Sequence, residues 1–210
     1  MKAETKPITV LAVDDHPVYR EGVAAIIRSQ PDFALAAQAT SGQEAIEQYE
    51  RHRPDVVIMD IQMPGLDGIA ATARICEQCP DAKVIVLTTY KGDVQAVKAL
   101  RAGAVGYLLK IAAPQELVNS IRNVYRGRRQ VITEVAMEIA EHAGDEMLSS
   151  REIEILQSAA RGNANRKIAD EYGIAEETVK SHMANLLAKL GATDRTHAVA
   201  IAIKRGILEI

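Results

Sequence analysis

Five short runs in the first 126 residues are apolar at nearly every position, and a stretch with helical spacing follows each of them. The runs are Ile8–Val13, Phe33–Ala39, Val56–Met59, Val84–Leu87 and Gly106–Leu109. The helical stretches are Pro17–Ser29, Gly42–His52, Ile69–Gln78, Asp93–Ala102 and Pro114–Arg126. Strands such as VVIM and VIVL show no polar face, as required of a parallel sheet covered by helices on both sides. Five consecutive βα units therefore predict an α/β domain, a doubly wound five-stranded parallel sheet of flavodoxin-like type, over residues 1–126.

The rhythm changes after Gly127. Residues 127–147 read as a linker holding one short helix, Thr133–His142, before a break at Gly144-Asp145. From 148 to 210 no strand pattern occurs, and Gly162, Gly173 and Gly191 divide four helical segments into a small all-α domain. Net charge is −1, −3 and +1 over the three stretches, and −3 over all 210 residues. This balance excludes a polybasic mode of nucleic-acid binding. One Phe and no Trp argue against a stacking platform for single strands. No apolar run is long enough to span a membrane, the first residues lack the core of a secretion signal, and two Cys provide no disulfide framework. A cytoplasmic protein without a membrane partner is expected.

Doubly wound sheets place ligands beyond the carboxyl ends of their strands. Polar residues gather at those positions: Asp14 and Asp15 after the first strand, Asp60 after the third, Thr88 after the fourth, Lys110 after the fifth. Any one of these Asp residues could simply cap the helix or turn that follows it. Together they form a set, because converging carboxylates repel unless a cation relieves them. Mg²⁺ suits such oxygen ligands. A carboxylate beside the metal can act as nucleophile toward a phosphoryl group, with metal, lysine and hydroxyl stabilising the transferred oxygens. Asp60 fits the nucleophile best, since it ends a buried strand before the Met63-Pro64-Gly65 turn, and Asp15 then serves the metal.

The runs VLAVDDHPVYREG, VVIMDIQMPGLDG, VIVLTTY and GAVGYLLK resemble the receiver domain of bacterial two-component response regulators over about residues 8–126. The resemblance implies that Asp60 accepts phosphoryl from the phosphohistidine of a sensor histidine kinase. It implies Mg²⁺ on Asp15, Asp60 and the backbone carbonyl of Gln62, with Asp14 assisting through water. Lys110 would pair with the phosphoryl oxygens, and Thr88 with Tyr107 would form the switch pair. Ile111 is a departure, since relatives often carry Asp after the lysine.

In the helical domain, Asn165–Tyr172, a tight Gly173-Ile174-Ala175 link and Glu176–Leu190 read as helix–turn–helix. Val179, Met183, Leu186, Leu187 and Leu190 form one apolar stripe on the second helix. Lys180, Ser181, Ala184 and Ala188 lie opposite, small or cationic enough for close entry into a major groove. Periodicity alone equally suits a plain surface helix of a small bundle. The segments LSSREIEIL, ARG, NRKIA and TVKSH, however, resemble the DNA-binding domain of NarL/FixJ (LuxR-type) regulators. That resemblance implies base-facing Lys180, Ser181 and Ala184, phosphate contacts from Asn165, Arg166, Thr178 and Lys189, and pairing of two copies through about Thr196–Lys204. Ala175 stands where relatives often place a serine cap. A nearly neutral domain offers few phosphate contacts, so useful affinity for paired half-sites on double-stranded DNA should require a homodimer.

Cys76 and Cys79 form a C-x-x-C at the end of a predicted helix, before Pro80, and read as structural. A redox pair of thioredoxin type precedes its helix, and no second Cys/His pair completes a zinc site. His16 reads as loop, and His182 as packing or a polar group on the DNA side. The expected function is a response regulator in which phosphorylation of Asp60 controls DNA binding and transcription. It would not be an enzyme acting on an outside substrate, because Gln62 stands where a turnover acid would be needed. The alternative is a phosphorylation-independent DNA-binding regulator whose receiver serves as an interaction module.

Overall fold

A computed structural model describes residues 6–89, 92–131, 133–142 and 144–208. The strands are β1 (Ile8–Val13), β2 (Phe33–Ala39), β3 (Val56–Asp60), β4 (Val84–Thr88), β5 (Gly106–Leu109) and β6 (Gln130–Val131). The helices are α1 (Pro17–Arg28), α2 (Gly42–His52), α3 (Gly68–Gln78), α4 (Asp93–Arg101), α5 (Pro114–Tyr125), α6 (Thr133–Glu141), α7 (Ser150–Ala160), α8 (Asn165–Tyr172), α9 (Glu176–Leu190) and α10 (Arg195–Lys204). The described residues divide into two compact units, one drawn from within 6–89 and 96–134, the other from within 92–95 and 135–208.

All strand pairs of the first unit are parallel, in the order β2-β1-β3-β4-β5-β6. Every residue of β3 and β4 is buried, which explains their unbroken apolar composition. Val10, Ile58, Ile85 and Leu108 meet Val23 and Ile27 of α1 and Leu117, Ile121 and Val124 of α5 in one core. Burying a side chain of this kind contributes roughly 1.5–3 kcal/mol, so the sheet ends are held by a rigid base.

The sixth strand is a departure from the expected five. Gln130 and Val131, placed in the linker by the sequence, pair with Gly106 and Tyr107, and Gln130 N–H donates to Val105 O at 2.9 Å. The Asn123 side-chain amide donates to Gln130 Oε1 at 2.8 Å. Two residues carry no periodicity. What recruits them is the open edge of β5, whose backbone groups otherwise face outward.

Gly68 illustrates how closely the site end of the sheet is packed. A Cβ there would lie 1.8 Å from the carbonyl oxygen of Asp60, while Gly68 N–H donates to Ile61 O at 2.9 Å. Only a residue without a side chain lets α3 start against the end of β3. The Asp67 carboxylate caps the same helix by accepting from Ala70 N–H at 2.7 Å.

The helical unit has its own core of Ile155, Leu156, Ile168, Val179, Leu186, Ala198, Ala202 and Leu208. Ser149 and Glu152 form a complete capping box at α7. The Glu152 carboxylate also meets Lys189 Nζ of α9 at 3.0 Å. Arg151 lies over the Tyr172 ring at 4.7 Å and donates to the Tyr172 carbonyl at 3.2 Å. The Ser-x-Arg-Glu opening thus ties α7 to the last turns of both helix–turn–helix elements. Arg205, also in this unit, donates to both carboxylate oxygens of Asp93 and to Asp145.

Candidate functional site

The strand ends bring the expected carboxylates together. Asp14 follows β1 and is 3% exposed; Asp60 is the last residue of β3 and 2% exposed. Lys110, just past β5, reaches both: its Nζ is 2.7 Å from Asp14 Oδ2 and 2.9 Å from Asp60 Oδ2. Asp14 also accepts from His16 N–H at 2.9 Å, and its carbonyl accepts from Arg20 at 2.8 Å. Asp15 is partly exposed and lies 2.7 Å from His16 Nδ1. Ligand-capable atoms of Asp14, Asp15, His16 and Asp60 all lie within 4.8 Å of one another.

Burial pushes the Asp60 carboxyl above the ordinary carboxylate range, and Asp14 adds to this, while Lys110 and the Gln62 backbone N–H oppose it. For Lys110 the order is reversed. Burial lowers its pKa, but hydrogen bonds to Asp14 and Asp60 outweigh it and the net shift is upward. Three carboxylates against one lysine leave the site short of positive charge. Asp15 Oδ1 and Asp60 Oδ2 are buried oxygens, met at 2.7 Å by His16 Nδ1 and at 2.9 Å by Lys110 Nζ. A carboxylate oxygen that meets one donor still has a lone pair to offer a cation.

Thr88 ends β4 and is 1% exposed; Tyr107, in β5, is fully buried. The two side chains hydrogen-bond each other, and burial holds the phenol well above its usual pKa. Lys110 N–H donates to the Thr88 carbonyl at 2.6 Å, tying the ends of β4 and β5. Gln62 is half-buried beyond β3. It meets Asp60 through its backbone N–H.

Sequence reasoning placed His16 in a loop and gave it no role. It is the exposed residue before α1, with extended backbone and no side-chain cap, and its ring turns back to Asp15. The Asp-Asp-His run was the available signal, but ring direction depends on how α1 starts, which composition does not encode.

On α9 the apolar stripe faces inward, with Val179, Met183 and Leu186 buried. Thr178, Lys180, Ser181 and Ala184 are all exposed on the other side, and Arg166 is exposed on α8. Asn165 is half-buried at the start of α8. Lys180 pairs with Glu177 at 3.1 Å, and the Ser181 hydroxyl donates to the Glu177 carbonyl at 3.0 Å. Lys189 stands apart from this face, half-buried and engaged with Glu152 and the Met147 carbonyl. Helices α7 to α10 differ in one respect. Helices α7 and α10 are capped by Ser149 and Asp194, whereas α8 and α9 start from Ala164 and Ala175 with no side-chain cap.

Comparison with known proteins agrees with this geometry. The response regulator receiver domain family matches residues 10–122, and the luxR family of bacterial regulatory proteins matches residues 146–202. The transcriptional regulatory protein LiaR of Bacillus subtilis is 38% identical over 93% of this chain and 96% of its own length. The response regulator protein VraR of Staphylococcus saprophyticus is 35% identical over 97% of this chain and 100% of its own. Among solved structures, the response regulator ChrA of a haem-sensing two-component system aligns over 97% of this chain and 100% of its own, with a TM-score of 0.59 and 37% identity. Among the described residues no helix is long and apolar enough to cross a membrane. The chain belongs to the two-component response regulators that join a receiver domain to a LuxR-type DNA-binding domain.

Proposed function

We propose that Asp60 accepts a phosphoryl group from the phosphohistidine of a sensor histidine kinase, and that this event controls binding of the helical unit to DNA. The Asp60 carboxylate attacks phosphorus in line; the P–O bond forms, the P–N bond breaks and the imidazole leaves. Lys110 Nζ, held 2.9 Å from Asp60, meets the transferred oxygens, and the Thr88 hydroxyl exchanges its Tyr107 partner for one of them. Mg²⁺ would be held by Asp15 and Asp60, with the Gln62 carbonyl completing the protein ligands and Asp14 acting through water. When bound, it supplies charge neutralisation and a template for the oxygens. The convergence of Asp14, Asp15 and Asp60, with ligand-capable oxygens within 4.8 Å of one another at the strand ends, carries this reading.

In the helical unit, Lys180, Ser181 and Ala184 face bases, with Ala184 offering only a methyl contact. Asn165, Arg166 and Thr178 face phosphates, as do the uncapped backbone N–H groups of α8 and α9. Lys189 reaches a phosphate by leaving Glu152. Two copies paired through α10 engage paired half-sites, and the unphosphorylated receiver restricts them. The setting is cytoplasmic, and the protein turns over no outside substrate. Incubation with Mg²⁺ and a small acyl phosphate should add one phosphoryl mass to the wild type and none to Asp60→Asn. The phosphorylated protein should then bind its operator more tightly. Equal affinity of both forms would favour a receiver that serves only as an interaction module.

A further inference from the structure

The C-x-x-C sits at the far rim of the sheet from Asp60, where α3 ends before β4. A cation meets one of its sulfurs. The Arg53 guanidinium donates to Cys79 Sγ, and Tyr49 of α2 is close by, its hydroxyl pKa pushed up by burial and by Cys79. Arg53 lies over the Tyr49 ring at 5.6 Å. Among the described residues it is the sole non-glycine at positive φ, 44°, a conformation that costs about 1 kcal/mol or more and holds its side chain at this spot. Both thiols are free and half-buried, and Arg53 is exposed, so small solutes reach the group.

We propose that Cys76 and Cys79 form a peroxide-sensitive thiol pair, with Cys79 as the attacking sulfur and Cys76 as the resolving one. A structural cysteine packs in apolar surroundings. Cys79 instead has a guanidinium directed at its sulfur in a half-buried, solvent-reachable setting, the kind of electropositive surroundings in which reactive cysteines sit. The carbonyl end of α3 opposes an anion there, which the guanidinium offsets. Cys76 is the opposite case, its thiol pushed up by burial and by Cys79, so it stays protonated until needed. The Cys79 thiolate attacks one oxygen of a hydroperoxide. The S–O bond forms, the O–O bond breaks, and hydroxide leaves and takes a proton; sulfur is oxidised by two electrons and the peroxide reduced. Cys76 then loses its proton and attacks Cys79 sulfur, forming S–S and releasing the hydroxyl as water.

Residues three apart on a helix have Cβ atoms roughly 5–6 Å apart, against about 3.5–4.5 Å in a disulfide. The last turn must therefore tighten by about an ångström. Cys79 has already left helical geometry, at φ −138° and ψ 89°, so the adjustment falls at a chain end. Oxidation uses no part of the Asp60 site and does not depend on the phosphorylation reading.

The chain has just two cysteines, so alkylation and intact mass after hydrogen peroxide report on this pair alone. Full-length wild type should lose two hydrogens, remain monomeric and recover with dithiothreitol, and Asp60→Asn should do the same. Cys76→Ser should give a dimedone-trappable sulfenate at Cys79. Cys79→Ser should react severalfold more slowly than Cys76→Ser, because it keeps only the sulfur that no guanidinium meets. Arg53→Gln should slow oxidation severalfold and Arg53→Lys restore it, with Tyr49→Phe as a second variant and far-UV circular dichroism confirming the fold of each. Wild-type thiols reacting no faster than glutathione, linkage between chains only, or equal rates for the two serine variants would each overturn the pair.

Discussion

Replacing Lys110 by Met removes the cation from between Asp14 and Asp60 while keeping most of its volume. Both carboxylates are buried, and breaking a buried pair in this way costs about 3–5 kcal/mol if the charges stay. The protein has an escape, because a carboxylate can protonate. Asp60, already shifted up from 3.8, needs about 1.4 kcal/mol for each pH unit between that value and the solvent. The loss is therefore capped at about 4 kcal/mol at pH 7 and about 2 kcal/mol at pH 5. The sign follows from proton uptake. A raised folded pKa means the native state binds more protons than the unfolded chain above 3.8, so stability falls as pH rises through this window. Urea unfolding followed by far-UV circular dichroism at the two pH values should show the receiver transition of Lys110→Met moving down much more at pH 7. The transition of the helical unit, which contains none of these residues, should stay in place as an internal reference. Millimolar Mg²⁺ at pH 7 should recover part of the loss. Equal destabilisation at both pH values would refute the reasoning, since it would mean that lysine packing rather than unpaired charge set the cost.

Gly68→Ala puts a methyl 1.8 Å from the Asp60 carbonyl and should abolish phosphorylation by an acyl phosphate, read by intact mass, through a shift of β3's end. Ala175→Ser supplies the missing cap of α9 and should raise the stability of the helical unit by about 1 kcal/mol in urea unfolding. Glu152→Gln weakens the capping box and the pair with Lys189, costing about 1–2 kcal/mol. Burial raises the Glu152 pKa, but the Ser149 N–H, Lys189 and the Ser149 hydroxyl outweigh it and hold it below 4.5. Wild type should therefore keep this contribution above pH 4.5 and lose it as pH falls through the lower folded value, while Glu152→Gln shows no such slope.

The five long strands were readable because burial on both faces removes polar residues, and the acidic site because strand ends put Asp14, Asp60, Thr88 and Lys110 at one rim whatever the side-chain details. What escaped the sequence depends on partners rather than pattern. Gln130-Val131 becomes a strand because β5 has an open edge. His16 joins the cluster through its ring orientation. Lys189, given as a phosphate contact by the family resemblance, also meets Glu152 of α7, a partner that no local pattern announces. Arg53 carries no local signal, since its conformation is set by the end of α2 and its partners come from α2 and α3.

The two-residue strand β6 also sets how far the receiver's tether can extend. With Gln130 and Val131 zipped onto Gly106 and Tyr107, free chain cannot begin until after residue 131. Peeling off so short a ladder would release the segment from Gly127 onward, and five extended residues add roughly 17 Å of span. Because Val131 is registered against Tyr107, the residue that shares its hydroxyl contact with Thr88, the carboxyl end of the sheet and the slack in the tether are set by neighbouring backbone bonds.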